Sequence, residues 1–349
     1  MRQNARGGSA SLGTQMKALV LMKPGQASIE TVPDPVLTDG NLLLKVQMVG
    51  LCGSDLNSFR GLNPLVSFPR ILGHEVCATV VEGKNGFAAG TDVALSPYTS
   101  CGQCASCRRG RPNACQLNQT LGVQRDGALT EFIVMPAEKL YAAKLTPTEL
   151  CLVEPLTVGF HAVARGRVTA DDTVAVFGCG GVGLGAVAAS NARGATTICI
   201  DVDDDKLELA RLAGGAYSIN TSREPLHERL QEITKGRGPD VVIEAIGTRV
   251  TFQAAVEEVA FTGRVVYIGY AKEPVTYETR MFVQKELDIL GSRNAQPEDF
   301  QAVIKLLEAR KFPVQQAVSL VVSLEEAPSA LRSWSENPSR FKKILVALD

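Results

Sequence analysis

One stretch, residues 171–201, constrains the fold of this chain more than any other. It reads as a short apolar strand (Thr173–Phe177), a turn with the sequence GCGGVG, an alanine-rich helix, and a second strand over residues 196–200 that leads to Asp201. A strand that passes through a glycine-rich turn into a helix and then into another strand indicates parallel pairing. Further helix and strand patterns alternate up to Gly291. This alternation predicts an α/β domain with a doubly wound parallel sheet.

The glycine-rich turn has the spacing G-x-G-x-x-G, and each glycine has its own physical task. Gly178 would permit the tight turn, and Gly180 would let a pyrophosphate approach the backbone. Gly183 would let the helix pack closely on the strand, while Gly181 and Val182 complete the loop. The pyrophosphate would lie at the positive end of the helix. Because the motif follows a strand and opens a helix, it predicts a dinucleotide site rather than an α/β domain without nucleotide.

Asp201, at the end of the second strand, indicates which dinucleotide is bound. Its carboxylate is placed to accept hydrogen bonds from both hydroxyls of the adenosine ribose. Asp203, Asp204 and Asp205 follow at once, and this run of negative charge would repel a ribose 2′-phosphate. The sequence therefore predicts NAD rather than NADP as the cofactor.

A cluster of cysteines ahead of this unit is the second strong constraint. Four of the nine cysteines lie within fifteen residues in the spacing C-x2-C-x2-C-x7-C, and they are Cys101, Cys104, Cys107 and Cys115. Four thiolates can hold one zinc ion in a closed tetrahedral shell, which leaves no position for a substrate and makes the site structural. The alternative is a pair of disulfides, which cytosolic thiols rarely form. We expect a zinc lobe over residues 98–116.

Composition and charge exclude several classes of function. The 349 residues are enough for two domains, and the net charge of −1, without a basic run, argues against a nucleic-acid partner. No apolar segment has the length of a membrane span. Residues 1–15 lack the apolar region of a signal peptide, so we interpret them as an expression tag or disordered leader and expect a cytoplasmic protein.

The N-terminal part of the chain carries scattered residues with metal-binding chemistry. Short β-prone runs separated by Pro and Gly predict a compact, barrel-like β domain. Two loops between these runs contain Cys52 and His74, and Glu154 stands among apolar residues of a later helix. Separately, these are a buried thiol, a hydrogen-bonded histidine and a carboxylate at a helix start. Together they could form an open zinc site with three protein ligands and a vacant fourth position.

The tail of the chain predicts a two-lobed molecule. Helix and strand patterns continue from residue 297 after the parallel strands have ended, and we expect the last segments to return to the β domain. The expected boundaries are 16–160 for the β domain, 161–296 for the nucleotide domain and 297–349 for the returning segment, with the active cleft between the lobes. His161 lies on an apolar helix, and we interpret it as packed and hydrogen-bonded.

Five segments, in this order and spacing, resemble the zinc-dependent medium-chain dehydrogenases: GLCGSDL, ILGHE, CGQCASCRRGRPNAC, VEPLTVGFHAV and GCGGVGLG. The resemblance runs from about Met16 to the C-terminus. It implies a GroES-like β-barrel catalytic domain, a Rossmann nucleotide domain, one catalytic and one structural zinc ion, NAD, and a homodimer or homotetramer. The glutamate of VEPL is similar to that of the polyol branch, which includes the sorbitol dehydrogenases, whereas the alcohol branch usually has cysteine there.

The resemblance also implies roles for individual residues. The catalytic zinc ligands would be Cys52, His74 and Glu154. Glu75 would stand beside them as an alternative or supporting ligand, Ser54 would take the proton of the substrate alcohol, and Asp55 would support Ser54. Where relatives commonly have a histidine that passes this proton to solvent, the chain has Asn57, which cannot titrate. A water molecule, Glu75 or the substrate's own carboxylate would have to substitute.

Three further segments, FPRILGHE, GVQRDG and GSRNAQPEDF, are similar to hexonate dehydrogenases of the L-galactonate 5-dehydrogenase type. They imply oxidation of a secondary hydroxyl to a ketone: zinc lowers the pKa of the hydroxyl, Ser54 carries the proton away, and a hydride passes to NAD. A hexonate needs a cation in the cleft, for which Arg293 is the first candidate and Arg125 the second. Arg293 could instead contact the phosphates of NAD, and Asn294 would line the cleft beside it.

Three alternative functions remain open. The first is the same chemistry on sorbitol, another polyol or L-threonine. The second is a non-catalytic binding module that is stabilised by the structural zinc and lacks the catalytic metal. Such a module would hold one zinc ion per chain instead of two. The third is a zinc-dependent lyase or hydrolase with the same ligands, which would not reduce NAD with any alcohol and would leave Asp201 without a purpose.

Overall fold

The computed structural model describes residues 15–348. The predicted leader lies outside this range, except for Gln15, with which the first strand begins. The strands are β1 (Gln15–Lys23), β2 (Gln26–Pro33), β3 (Asn41–Leu51), β4 (Arg70–Ile71), β5 (Glu75–Val80), β6 (Asp92–Leu95), β7 (Phe132–Pro136), β8 (Leu140–Ala142), β9 (Thr173–Phe177), β10 (Thr196–Asp201), β11 (Tyr217–Asn220), β12 (Val241–Glu244), β13 (Arg264–Tyr267), β14 (Asp288–Gly291), β15 (Leu320–Ser323) and β16 (Ile344–Ala347). The helices are α1 (Gly53–Phe59), α2 (Ala105–Arg108), α3 (Pro147–Arg165), α4 (Gly181–Ala192), α5 (Asp204–Leu212), α6 (Leu226–Thr234), α7 (Arg249–Glu258), α8 (Arg280–Gln284), α9 (Pro297–Glu308), α10 (Val314–Ala317) and α11 (Ala327–Glu336). None of these helices is both long and apolar enough to cross a membrane.

Strands β9 to β14 form the doubly wound sheet that the alternating pattern predicts. The six strands are parallel and stand in the order β11–β10–β9–β12–β13–β14. The order reverses between β9 and β12, and such a switch point opens a crevice beyond the carboxyl ends of the strands. Gly178, which follows β9, and Asp201, which ends β10, therefore meet at this crevice, together with the segment after β14.

Both faces of this sheet are buried, which explains the uninterrupted apolar runs of its strands. In β9, Val174 and Val176 join the core that also contains side chains of α3, α4 and α9. Ala175 and Phe177 point to the opposite face, where α6 and α7 complete a second core. Alternate side chains of a strand face opposite ways, so a strand covered on both sides needs apolar residues at every position.

The sequence pattern does not predict β11. This strand has four residues, two of them exposed, and it lies at the edge of the sheet. An edge strand has one neighbour, so it needs fewer apolar side chains than a central one. Helix α4 begins at Gly181, three residues before the start that the alanine-rich run predicts. Gly180 is the N-cap residue, so the last glycines of the motif already belong to the first turn of the helix.

The β-rich domain is organised around β3. This strand pairs antiparallel with β5, β7 and β16, and β6 and β8 extend the sheet beyond β5. A separate sheet of β2, β1 and β4 lies beside it, and the side chains of both share one core. The tail contributes β15 and β16 to the large sheet, whereas α9 packs on α3.

Helix α3 connects the two domains. It packs against β3, β5 and β6 on one side and against α4 and α9 on the other. The Thr146 hydroxyl accepts the backbone N–H of Glu149, and the Glu149 carboxylate accepts the backbone N–H of Thr146, which is the reciprocal arrangement of a capping box. Glu154 and His161 lie seven residues apart on this helix. At 3.6 residues per turn that spacing is about two turns, so both side chains face the same way.

Candidate active site and metal centres

The four clustered cysteines converge as their spacing predicts. Their sulfur atoms all lie within 4.8 Å of one another. The Cys104 sulfur lies 3.5 Å from that of Cys107 and 3.8 Å from that of Cys115. With zinc–sulfur bonds of about 2.3 Å, the edges of a tetrahedral site would be about 3.8 Å long. All nine cysteines lie in the described part of the chain and none forms a disulfide, so the lobe fits a zinc ion and not the alternative of two disulfides.

The local backbone also prepares this site for thiolates. The N–H groups of Cys101, Cys104 and Leu117 each donate to a cluster sulfur at 3.3 Å. Hydrogen bonds from the Ser106 hydroxyl and neighbouring backbone groups lower the pKa of the Cys104 thiol to about 5. Helix α2, within the lobe, has no buried residue. A metal ion would therefore contribute directly to the folding of this segment.

A second group of metal-binding atoms lies at the ends of β3 and β5. The donor atoms of Cys52, His74 and Glu75 all lie within 4.8 Å of one another. Cys52 follows β3, and Glu75 begins β5, opposite Gly50 in the antiparallel register. A Cβ atom at Gly50 would lie 2.2 Å from a carboxylate oxygen of Glu75 and 3.1 Å from its Cβ, so glycine leaves room for that side chain in its present position. The sheet register thus brings together residues from two loops.

Asp55 joins the two loops of this group. Its carboxylate accepts hydrogen bonds from the backbone N–H of Cys52 at 2.9 Å and from that of Gly73 at 3.4 Å. It also lies 3.9 Å from Nδ1 of His74. The other ring nitrogen of His74, Nε2, is 3.5 Å from the Ser54 hydroxyl. This arrangement directs Nε2 and Ser54 to the same place, as a site for an alcohol would require.

The charges around this group favour a bound cation. Burial raises the pKa of the carboxyl groups of Asp55 and Glu154. Burial by itself would lower the pKa of His74, yet the neighbouring anionic groups, led by Asp55, raise it well above its ordinary value. Nδ1 of His74 is buried and forms no hydrogen bond. A thiol, an imidazole and a surplus of buried carboxylates fit a zinc site with an open position.

Glu154 lies next to this compact group but outside it. Its carboxylate accepts a hydrogen bond from the hydroxyl of Tyr98, and burial raises the pKa of that hydroxyl well above its ordinary value. Both side chains are buried. The structure therefore brings Glu75, rather than Glu154, into the group with Cys52 and His74. Asn57, where relatives commonly have a proton-transferring histidine, is exposed on α1.

The glycine-rich turn has the geometry that a dinucleotide site requires. Gly178 has φ +93°, in the left-handed region that favours glycine. A Cβ atom at Gly183 would lie 1.7 Å from the carbonyl oxygen of Gly178, so only glycine permits this approach of helix and turn. A Cβ at Gly180 would meet no atom within 4 Å, which leaves open space above the first turn of α4. A pyrophosphate fits there, against the positive helix end.

Asp201 is tied to this turn by three backbone hydrogen bonds. Its carboxylate accepts from the N–H groups of Cys179 at 2.8 Å, Val202 at 2.8 Å and Asp203 at 3.2 Å. It therefore stands at the carboxyl edge of the sheet beside the turn. The remaining lone pairs of an ionised carboxylate can accept further hydrogen bonds, such as those of ribose hydroxyls.

A mostly apolar pocket adjoins the turn, and lysine side chains at its border give it a positive charge. Its lining includes Gly180 and Gly181 and the side chains of Lys206, Lys342 and Lys343. Lys343 also forms an ion pair with Glu75, with Nζ 2.7 and 2.6 Å from the two carboxylate oxygens. Burial alone would lower the pKa of Lys343, but the Glu75 carboxylate raises it above its ordinary value. The buried Lys343 side chain thus links the group of Cys52, His74 and Glu75, called the metal group below, with the pocket beside the glycine-rich turn.

The three polar residues expected to bind substrate occupy different places. Arg293 donates from Nη1 to the carbonyl oxygen of Cys115 at 3.2 Å, and Asn294 donates to the carbonyl oxygen of Asn113 at 3.0 Å. Both side chains therefore contact the cysteine lobe. Arg125 lies in the loop before β7, half-buried, with a weak hydrogen bond of 3.5 Å from Nη2 to the carbonyl oxygen of Pro97.

Sequence reasoning does not identify several residues of these sites. They are Tyr98, Asn113, Lys206, Lys342 and Lys343. A buried strand preceded by two lysines, as in KKILVAL, is an unusual pattern and could have indicated a paired lysine, since buried lysines require a partner. The others lie in ordinary polar surroundings. His161 is buried and hydrogen-bonded at both ring nitrogens, as predicted.

Comparison with known proteins gives consistent matches over nearly the whole chain. The family model described as "Alcohol dehydrogenase GroES-like domain" matches residues 38–145, and the model described as "Zinc-binding dehydrogenase" matches residues 181–309. The sorbitol dehydrogenase of Bacillus subtilis is 33% identical over 345 residues, covering 95% of this chain and 97% of the relative. The L-galactonate-5-dehydrogenase of Escherichia coli K12 is 32% identical over 301 residues, covering 85% and 88%.

A solved structure extends the likeness to the cofactor. The short chain alcohol dehydrogenase (rspB) of Escherichia coli CFT073, complexed with NADH, superposes with a TM-score of 0.88 at 30% identity, covering 96% of this chain and 100% of that one. The turn and cavity at α4 fit such a cofactor, and both cysteine-containing groups fit zinc. The chain therefore belongs to the zinc-dependent medium-chain dehydrogenase family, with a GroES-like and a Rossmann domain, and is an oxidoreductase that acts on CH–OH groups.

Proposed function

We propose that this dehydrogenase oxidises a secondary hydroxyl of a hexonate, such as L-galactonate, and produces the keto-hexonate and NADH. The observation that carries the proposal is the state of Arg125. Its side chain is half-buried, and burial lowers the pKa of its guanidinium without a compensating carboxylate. Its Nε atom is buried and forms no hydrogen bond. Because a buried charge without a partner is costly, an anion from outside the described chain is the natural partner.

The loop that carries Arg125 wraps around the loop that carries His74. Gly127 donates from its backbone to Ile71 at 2.8 Å, and Ala128 donates to Gly73 at 2.9 Å. A Cβ atom at Gly122 would lie 2.7 Å from the backbone nitrogen of Gly73. The backbones are therefore in direct contact on both sides of Arg125. This contact supports a place for its guanidinium at the border of the metal group.

A carboxylate is the anion that suits this place. Lys139 is a second half-buried cation near Arg125, and burial lowers the pKa of its ammonium, an effect to which Arg125 adds. Guanidinium binds a carboxylate through two parallel hydrogen bonds, which also orients the substrate. Arg293 is the weaker candidate, since its guanidinium bonds to the carbonyl oxygen of Cys115 at 3.2 Å, closer than the 3.5 Å contact of Arg125 with Pro97. A neutral polyol would leave the charge of Arg125 without a partner.

The residues of the chain have separate tasks in this reaction. When bound, zinc supplies a Lewis acid for the hydroxyl oxygen, and NAD accepts the hydride. Ser54, 3.5 Å from Nε2 of His74, can accept the hydroxyl proton while its own proton passes to the next acceptor. Asp55 holds the Cys52 and Gly73 loops in register through their backbone N–H groups. Arg125 would orient the substrate so that the reacting carbon faces the nicotinamide.

Sorbitol oxidation is the second candidate, because the Bacillus subtilis sorbitol dehydrogenase is as similar to this chain as the L-galactonate-5-dehydrogenase is. A screen of NAD reduction with hexonates, sorbitol, other polyols and L-threonine separates the two. We expect the highest kcat/KM with a hexonate. The same screen with Arg125→Gln should raise KM for the hexonate about ten- to a hundredfold, since a hydrogen bond to a charged group contributes about 1.5–3 kcal/mol.

Arg70→Gln is the matched control. Arg70 lies near the same loop, but its guanidinium is already paired with Asp126 at 3.0 Å. This control should change KM for the hexonate little, and both variants should bind NADH like the wild type. The hexonate proposal is refuted if sorbitol is oxidised far better than every hexonate, or if Arg125→Gln impairs sorbitol and hexonate equally.

A further inference from the structure

We propose that Asn113 and His161 are positioning residues through which the cysteine lobe holds the wall of the cofactor cleft. The lobe would then set the affinity for the dinucleotide without touching it. This inference uses the NAD-dependent chemistry of the family and does not depend on the hexonate proposal. It rests on a buried hydrogen-bond network that spans both domains.

Asn113 is the centre of this network. It lies in the lobe, two residues before Cys115, and is 3% exposed. Its side-chain Nδ2 donates to Nε2 of His161 at 3.0 Å and to the carbonyl oxygen of Arg293 at 2.8 Å. Its backbone carbonyl accepts from Nδ2 of Asn294 at 3.0 Å. One residue of the lobe thus contacts α3 and the segment after β14.

His161 determines the orientation of the Asn113 amide. Nδ1 of His161 lies 2.9 Å from Oδ2 of Asp299, and this carboxylate also accepts the N–H of Gln296 at 2.8 Å. A carboxylate oxygen accepts hydrogen bonds, so Nδ1 donates to Asp299 and Nε2 accepts from the Asn113 amide. Both hydrogens of the Asn113 amide are then used. Turning the amide over would place its oxygen against the carbonyl oxygen of Arg293, so the network permits one arrangement.

The segment held by Asn113 lies at the edge of the sheet where the cofactor is expected. Arg293 and Asn294 follow β14, whose carboxyl end shares that edge with the glycine-rich turn. Asn294 has φ +53°, a left-handed conformation that non-glycine residues rarely adopt without support from their surroundings. Its hydrogen bond to Asn113 and the bond from Arg293 to Cys115 provide this support.

The network therefore fixes one domain to the other beside the cleft. Asn113 and Cys115 belong to the lobe of the first domain, whereas Arg293 and Asn294 follow the last strand of the nucleotide sheet. Both hydrogens of the Asn113 amide have buried or half-buried acceptors, while its Oδ1 is buried without a partner, so the two bonds from Nδ2 and the backbone bond from Asn294 specify the geometry. Loosening them should let the segment after β14 adopt other positions, and the dinucleotide would then bind a less organised cleft.

The test compares Asn113→Ala with Thr99→Ala. Thr99 lies at the start of the lobe and its hydroxyl accepts the backbone N–H of Gln119 at 2.7 Å, so its replacement removes a hydrogen bond of the lobe without touching the segment after β14. We expect Asn113→Ala to raise the dissociation constant of NADH, measured by its fluorescence, about three- to tenfold, because the hydrogen bonds that hold the segment after β14 are lost. KM for NAD should rise in parallel, and Thr99→Ala should bind NADH like the wild type.

Two variants of His161, outside the lobe, keep the test decisive if Asn113→Ala folds poorly. His161→Gln places an amide oxygen near the position of Nε2 and can still accept from Asn113. His161→Asn keeps a donor for Asp299 but loses the contact with Asn113. We expect His161→Gln to bind NADH more tightly than His161→Asn. The proposal is overturned if these two variants bind NADH equally, or if Asn113→Ala and Thr99→Ala lower Tm alike and both leave NADH binding within twofold of the wild type.

Discussion

Replacing Lys343 with methionine would test how charge is balanced at the metal group. The ammonium of Lys343 contacts both carboxylate oxygens of Glu75, at 2.7 and 2.6 Å, and the side chain of Glu75 is fully buried. Lys343 also donates to the carbonyl oxygen of Leu51 at 3.2 Å. Methionine keeps an unbranched apolar stem but has no charge. Glu75 would then remain as a buried carboxylate without its counter-charge, close to Glu154.

The magnitude follows from this geometry. Removing one partner of a buried ion pair typically costs about 3–5 kcal/mol, because the other charge is left behind. We expect Lys343→Met to lower the free energy of unfolding of the metal-free protein by about that amount. A zinc ion at the group would supply positive charge, so the loss should be smaller in the zinc-loaded protein. Adding Glu75→Gln removes the stranded charge, so the double variant should be more stable than Lys343→Met alone.

Urea unfolding provides the assay. Trp334 is the only tryptophan in the chain and is part of the core of the β-rich domain, so its fluorescence reports the unfolding of the domain that contains Glu75. Both metal states are compared, with Lys342→Met as the control, because Lys342 lines the cavity but does not contact Glu75. The reasoning is refuted if Lys343→Met costs less than about 1 kcal/mol without metal, or if the double variant is no more stable than the single one.

Two further predictions concern the metals and the cofactor. Cys104→Ser should remove one zinc ion per chain and lower Tm strongly, because the binding energy of a structural zinc is folding energy. Cys52→Ser should remove the other zinc ion and the activity, while Tm stays much closer to that of the wild type. Elemental analysis measures the zinc content of both variants, and calorimetry measures their Tm. Retention of two zinc ions in both variants would contradict the assignment. Asp201→Ala should weaken the binding of NAD and reduce the preference for NAD over NADP, measured as the ratio of the two kcat/KM values. The reason is that the carboxylate expected to accept hydrogen bonds from the ribose and to repel the 2′-phosphate is removed. Equal use of both cofactors by the wild type would contradict this argument.

The features that sequence predicts well are those encoded within a few consecutive residues. The glycine-rich turn needs open space at Gly180 and close packing at Gly183, and these demands come from atoms of the same strand–turn–helix unit. The signal for the cysteine lobe is equally local, because cysteines two residues apart can bind the same ion when the short chain between them turns around that ion. The buried strands of the parallel sheet are recognisable because both of their faces require apolar side chains.

Local signals were weaker where tertiary packing supplies the stabilisation. The apolar run of α3 starts at Leu150, yet the helix begins three residues earlier, at Pro147, after the cap formed by Thr146 and Glu149. Strand β11 is present because β10 offers it a hydrogen-bonding edge, and its own residues do not show this. The edge of β10, and not the local composition, thus determines β11, whereas the start of α3 is set locally by its capping box.

The charge arrangement of the site was decided by the tertiary structure alone. Sequence places Glu75 beside His74 but gives no reason to connect it with Lys343, which lies 268 residues away and is brought there by the pairing of β16 with β3. The contacts of Asn113 with His161 and Arg293 span 48 and 180 residues. Residue types and spacing determine which chemistry a chain can perform, because ligand preference and backbone geometry are local. Which carboxylate is paired, and which arginine lacks a partner, depends on strand register and domain packing, since a charge acts on whatever lies within a few ångströms of it, however distant in the chain.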